Sequence, residues 1–214
     1  MVRKLDNEFV KAYYRDCGKG LRDGDIRILW TNIRGFPSFL YQSKRIKDTV
    51  SEIAMLNLKG KVLDAACGSG YILSCLPHGT VGIEVNPRHV RAAKKNAPQA
   101  KVIKGDIEEI PFKDSYFDAV CATEIFEHVP DVNPTISELW RVLKNGGTLI
   151  VTVPATHFLW KLRFLASGMY ATEPKLARFT KNSLLELFSN CQYNVSVFKK
   201  IAFSLNYFLV LEKR

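Results

Sequence analysis

Between residues 61 and 154 short apolar runs alternate with helix-patterned segments, and few architectures accept that order. Parallel strands need a crossover connection, usually a helix, so regular alternation points to a parallel sheet with helices on its faces. Lys61-Val62-Leu63-Asp64 reads as a short buried strand, followed by a glycine-rich turn and a helix from Tyr71 to Leu76 that Pro77 stops. Thr80 to Val85 is a second strand. Asn86 supplies an N-cap and Pro87 the first helical position, with Val90, Ala93 and Ala97 on one face of the helix that follows. Lys101 to Lys104 and Phe117 to Ala122 are the third and fourth strands. Asn133-Pro134 opens a helix carrying Ile136, Leu139, Trp140 and Leu143, which Asn145-Gly146-Gly147 ends. Thr148 to Val153, rich in β-branched residues, has the pattern of a strand at the buried centre of a sheet. The pattern predicts a doubly wound, mostly parallel α/β sheet.

Beyond it Thr180 to Phe188 reads as a helix, and Val195 to Lys200 and Tyr207 to Glu212 as strands close enough to pair antiparallel. Residues 1–60 read as a mostly helical N-terminal cap, and residues 61–214 as the main domain with an insertion at about 155–178. At 214 residues, one elaborated domain is the expected division.

Composition excludes several classes. The apolar fraction of 47% with 24% charged residues belongs to a chain that buries a core. The longest apolar stretch, Thr148 to Trp160, is interrupted by Pro154, Thr156 and His157 and is too short to cross a bilayer. The first residues lack the apolar run of a secretory leader. The five cysteines, Cys17, Cys67, Cys75, Cys121 and Cys191, include no C-x-x-C pair and read as reduced thiols, most of them core filler. The expected location is the cytoplasm, with or without a peripheral membrane contact. The net charge of +10 is distributed as +6 over residues 1–61, −2 over 62–154 and +6 over 155–214. Basic flanks around an acidic middle suit an anionic membrane surface, a nucleic acid or an acidic substrate, or serve only solubility.

The chemistry concentrates at the strand ends. Asp64-Ala65-Ala66-Cys67-Gly68-Ser69-Gly70 follows the first strand, where glycines let backbone N–H groups approach a ligand and an acidic side chain can meet a ligand ammonium group. A dinucleotide fingerprint wants a third small residue where this chain has Leu73, and Asp64 would sit badly beside a pyrophosphate. The second strand ends in Glu84, placed to accept hydrogen bonds from both hydroxyls of a ribose. The third ends in Gly105-Asp106-Ile107, where a carboxylate can accept from an adenine amino group and an apolar neighbour can cover the ring. Three strand tips address three parts of one nucleoside.

Val62 to Gly70, Gly82-Ile83-Glu84, Gly105-Asp106-Ile107 with Pro111-Phe112, Phe117-Asp118-Ala119-Val120, Glu127-His128-Val129-Pro130-Asp131 and Arg141 to Gly147 stand in a fixed order. In these stretches the chain resembles the class I S-adenosylmethionine-dependent methyltransferases, in particular the group that includes quinone-biosynthesis and other small-molecule enzymes. The resemblance covers nearly all of residues 61–154 and implies a Rossmann-like fold with a seven-stranded sheet. It implies S-adenosyl-L-methionine as cofactor and S-adenosyl-L-homocysteine as product. By the same resemblance Asp64 and the turn through Ala66, Gly68 and Gly70 hold the methionine moiety, Glu84 the ribose, and Asp106 with Ile107 the adenine. Glu124 lies near the transferring methyl group. Ala66 departs from the family's usual glycine, a replacement that is tolerable if the backbone there keeps φ negative.

Methyl transfer from a sulfonium needs positioning and water exclusion, with a general base only where the acceptor must lose a proton. His128, expected at the mouth of the site, either serves as that base or packs the following turn. Glu124, Glu127 and His128 fall at i, i+3 and i+4, so one helical turn would present all three together. Some relatives use such an E-x-x-E-H arrangement with a metal, and many need none; no metal is expected here. Residues 157–170, with Phe158, Leu159, Trp160, Leu162, Phe164 and Leu165 interleaved with Lys161 and Arg163, read either as a lid or as a surface for a lipophilic substrate or a membrane. The expected function is methyl transfer to a small, lipophilic acceptor. An RNA methyltransferase suits the basic flanks but lacks the D/N-P-P-Y type turn, since the fourth strand leads into Ala122-Thr123-Glu124-Ile125. A cofactor-binding module without turnover is the rival from another class.

Overall fold

The structure, a computed structural model, describes residues 36–157 and 178–214. Helix α1 (Phe36–Met55) precedes strands β1 (Val62–Ala65) and β2 (Val81–Glu84), helix α2 (Pro87–Asn96), strands β3 (Lys101–Lys104) and β4 (Phe117–Thr123), helix α3 (Val132–Val142) and strand β5 (Leu143–Pro154). After the insertion come helix α4 (Lys181–Glu186) and strands β6 (Tyr193–Ile201) and β7 (Asn206–Lys213). One seven-stranded sheet runs in the order β3-β2-β1-β4-β5-β7-β6. The first five strands pair in parallel; β7 pairs antiparallel with both β5 and β6. All of the first 35 residues, Cys17 among them, and most of the insertion, including the lid or surface segment Phe158 to Tyr170, lie outside the described residues.

Alternation along the strands sorts side chains to two cores. Leu63, Ile83, Val120 and Leu149 face one side, where Ile136 and Leu139 of α3 and Leu184 of α4 cover them. Val62, Cys121, Ile150 and Phe208 face the other, under Tyr41 and Ile53 of α1 and Val90 and Ala93 of α2. The strand order reverses direction at β1 and β4, so the crevice at their C-terminal ends is the topological switch point where α/β sheets bind ligands.

Several boundaries differ from the sequence pattern for local reasons. The expected helix from Tyr71 to Leu76 is one 3₁₀ turn, Leu73–Cys75, because Leu76 precedes Pro77 and is held extended at ψ 164°. Helix α3 begins at Val132, not at Asn133-Pro134, with the Asp131 side chain accepting from the Asn133 N–H. It ends at Val142. Leu143 is already extended and pairs with Phe117, so Asn145-Gly146-Gly147 lies inside β5 at a bulge, with Gly146 at φ +73°. Thr180 is the N-cap of α4 rather than its first residue.

The loop after β3 is held against α3. Arg141 donates to the carbonyls of Phe112 and Ile110 at 2.8 and 3.0 Å while pairing with Glu138 and Asp114, and Glu138 accepts from the Ile110 N–H. The segment that starts at Asp106 therefore has a fixed downstream anchor.

Candidate functional site

A cavity of about 220 Å³ opens at the ends of β1 and β4. Its floor is the turn Ala66 to Ser69; Thr123, Glu124 and Thr152 form one wall, and Arg45, Ile46 and Thr49 of α1 close the outer side. Tyr71, Ile72 and His89 complete the lining.

The turn is built by a hydrogen-bond exchange with β2. Glu84 accepts from the Gly68 N–H at 2.9 Å and from the Asn86 N–H at 2.7 Å, which fixes its carboxylate between the turn and the N-cap of α2. An ionised carboxylate has about four acceptor positions, so each oxygen retains capacity for a ribose hydroxyl. The two glycines of the turn do different work. A Cβ on Gly68 would meet nothing within 4 Å and would project into the cradle, whereas one on Gly70 would stand 2.8 Å from the Ala93 Cα of α2. Gly68 leaves room for a ligand, and Gly70 lets helix and turn touch. Ala66 has φ +53°, so the condition of a negative φ is not met. A non-glycine residue in the left-handed region costs roughly 1–2 kcal/mol, and here that strain sits in the cavity floor.

Asp64 is 1% exposed and is not part of the lining. It lies in the centre of β1, between Gly82 and Cys121, and neither carboxylate oxygen has a hydrogen-bond partner. Burial pushes its carboxyl up to about 8, the neighbouring Glu84 adds to this, and the Leu73 N–H opposes it. Cys67, at the cavity, has its thiol raised first by burial and then by the charges of Asp64 and Glu84, the reverse of what a nucleophilic cysteine needs. Asp106 is at the end of β3, accepts from the Glu108 N–H at 3.0 Å, and is followed by buried Ile107.

The segment after β4 departs most from expectation. Glu124 has φ +55°, so no helical turn starts there, and of the three residues only Glu124 lines the cavity. The Glu124 carboxylate accepts from Asn206 Nδ2 at 2.9 and 3.0 Å and pairs with Arg45 at 2.5 Å. Glu127 is buried, and burial together with the Glu124 charge pushes its carboxyl up to about 9. His128 turns outward, its side chain 60% exposed and its Nε2 3.9 Å from Glu127 Oε1, and it does not line the cavity. Among the described residues no group of three metal-ligating side chains converges.

Tyr41, Arg45, Thr49 and Asn206 were not legible as site residues. Tyr41 donates to Asn206 Oδ1 at 2.5 Å, which links α1 to the start of β7 across 165 positions. The available signal was the spacing of Tyr41, Arg45 and Thr49 by four along one helix, which marks a face without saying what it meets.

The family profile for a methyltransferase domain matches residues 63–151. An uncharacterized methyltransferase of Synechocystis is 29% identical over 164 residues, covering 64% of this chain and 77% of that protein. The demethylmenaquinone methyltransferase of Streptomyces avermitilis is 38% identical over 96 residues, covering 42% of this chain and 41% of that one. The chain thus spans most of the first relative but less than half of the second. Among solved structures, an S-adenosylmethionine-dependent methyltransferase of Thermotoga maritima superposes with a TM-score of 0.69 at 18% identity, over 95% of this chain and 99% of that one, a likeness of fold. The turn that follows β1 has an open cradle at Gly68 and a carboxylate held beside it at Glu84, which fits S-adenosylmethionine as the cofactor. By strand order, strand-tip chemistry and sequence match together, residues 63–151 form a methyltransferase domain, and the chain is similar to the class I S-adenosylmethionine-dependent methyltransferases.

Proposed function

We propose that this chain methylates a small, lipophilic acceptor. The observation that carries the reading is the position of the cavity. With adenine assigned to the tip of β3 and ribose to the tip of β2, a ligand crossing the sheet ends brings its methionine end to β1 and β4, where the cavity lies. Ile46, Tyr71 and Ile72 supply apolar surface there. The likeness to a demethylmenaquinone methyltransferase and the apolar residues of the insertion support a lipophilic acceptor.

S-adenosylmethionine supplies a methyl group already activated by its sulfonium. The residues of the chain bind, orient and exclude water. In this reading Glu84 orients the ribose, Asp106 and Ile107 the adenine, the Ala66 to Gly70 turn the methionine moiety, and α1 closes the outer side against solvent. Asp64 acts from below the turn rather than by touching the ligand. Where the acceptor loses a proton, His128 is the residue assigned to receive it, its exposed ring being able to pass that proton to water. Delivery of a lipophilic acceptor also gives the basic, apolar segment 157–170 a role as a peripheral membrane contact.

Incubation with methyl-labelled cofactor and a fractionated cell extract tests the assignment. Label is expected in the lipid-extractable fraction. Label confined to RNA would support the nucleic-acid reading, and cofactor binding with label in no fraction would support a module without turnover.

A further inference from the structure

Helix α2 packs beside the edge strand β3, and the two carry six exposed cations, Arg88, Arg91, Lys94, Lys95, Lys101 and Lys104. We propose that this surface docks the protein on an anionic lipid bilayer. The inference rests on the reading of a lipophilic acceptor and names the face that meets the membrane in which such an acceptor dissolves.

The first support is the segregation of charge. Residues 87–105 hold these six Lys and Arg and no Asp or Glu, whereas residues 106–131 hold eight Asp or Glu and one Lys. Among the described residues none of the six forms an ion pair. Helix stability does not call for the arrangement. Lys94 and Lys95 in the last turn suit the helix dipole, but Arg88 stands in the first turn, where an acid is favoured. Arg91 is three or four residues from Arg88, Lys94 and Lys95, and α2 has no carboxylate to relieve the repulsion.

The second support is shape and place. Val90 and Ala93 of α2 are spent in the core, so its cations occupy the convex outer side of the helix and continue onto the sheet edge. None of the six lines the cavity. A single-stranded nucleic acid is usually held in a charged groove with aromatic rings under its bases, whereas the large exposed apolar side chain next to this helix is the aliphatic Val85. His89, on the same helix, lines the cavity and lies 3.9 Å from Glu84, so the surface adjoins the site. The exposed Asp106, Glu108 and Glu109 follow β3 directly, and an anionic surface repels them, which orients the docked molecule.

Sedimentation at low ionic strength tests this, with vesicles of phosphatidylcholine alone and of phosphatidylcholine with phosphatidylglycerol. Each Lys or Arg held near an anionic surface multiplies binding by about fivefold, so Arg88→Gln/Arg91→Gln/Lys95→Gln is expected to lose roughly 100-fold in affinity for the anionic vesicles. Lys94→Gln/Lys101→Gln/Lys104→Gln should lose about as much. The control Lys59→Gln/Lys113→Gln/Lys200→Gln removes the same charge from exposed positions elsewhere and is expected to lose less than about fivefold. Melting temperatures of all three variants should stay at or above that of the wild type. No capture of the wild type by anionic vesicles, equal capture by neutral ones, or an equal loss in the control overturns the proposal. A folded RNA whose filter binding is lost in the first variant while its vesicle binding is kept overturns it in favour of a nucleic acid. None of these measurements reads methyl transfer, so the two readings fail separately. Label in lipid with vesicle binding unchanged in the first variant overturns this inference alone, and label confined to RNA overturns the reading beneath it.

Discussion

Asn206 Nδ2 donates to both carboxylate oxygens of Glu124, at 2.9 and 3.0 Å, joining the first residue of β7 to the residue that leaves β4. Glu124 adopts φ +55° at that point, and the contact accounts for how its carboxylate is kept in the cavity wall. Asn206→Leu would leave Glu124 and Tyr41 without their shared partner. Loss of hydrogen bonds to a charged, half-buried group should cost about 1.5–3 kcal/mol, read as a lower denaturation midpoint with unchanged m. Stability equal to wild type would show that water replaces the amide without loss.

Ala66→Gly should make the protein more stable. Releasing the left-handed alanine recovers roughly 1–2 kcal/mol, against which the greater freedom of glycine in the unfolded chain costs about 0.5–1 kcal/mol. A net gain of about 0–1.5 kcal/mol corresponds to a rise in Tm of at most roughly 3–6 °C, measurable by calorimetry. A lower Tm would mean that the Ala66 methyl group contributes packing that outweighs its strain.

Gly68→Ala and Gly70→Ala should separate binding from folding. At Gly68 the new methyl group enters the cradle, so cofactor affinity should fall by at least tenfold, with a stability cost of about 1–2 kcal/mol from φ +52°. At Gly70 it meets backbone of α2 and also sits at φ +82°, so the folded state should suffer more than at Gly68. Thermal melts and titrations on both variants give the comparison, and equal melts would contradict the assigned division of work.

Stability should depend on pH through Asp64. Its carboxyl is raised from the usual 3.8 to about 8 in the folded protein, so between those values the native state holds a proton that the unfolded chain has released. This residue therefore lowers stability as pH rises through that window, with a slope approaching about 1.4 kcal/mol per pH unit, and has no effect below it. Asp64→Asn removes that slope. Denaturant titrations of both proteins between pH 4 and pH 8 should show their stability difference shifting steadily in favour of the variant; parallel curves would mean that Asp64 is ionised in the folded protein.

His128→Ala should lower turnover on the true acceptor by about 10²- to 10⁴-fold and leave cofactor affinity close to wild type if the exposed imidazole is the base. Full turnover would assign His128 to the turn that it closes by donating its N–H to the Ile125 carbonyl.

What the sequence by itself determined is whatever depends on near neighbours. The alternation of runs such as Thr148 to Val153 with helix-spaced residues such as Val90 and Ala93 dictates parallel strands under helices, because period and burial are set over a few residues. The positions of Glu84 and Asp106 at strand ends follow from the same local pattern. Errors arose where distant partners decide. Whether Glu124 starts a helical turn depends on Asn206, which is 82 positions away, and whether Ala66 tolerates φ +53° depends on β2 and Glu84 fixing the turn from outside. Likewise Tyr41 and Arg45 stand one turn apart on α1, and only the fold lays that helix across the ends of β4 and β7. Local spacing decides which face a side chain occupies; only tertiary packing brings a second charge within 2.5 Å of it and makes that face part of a cavity wall.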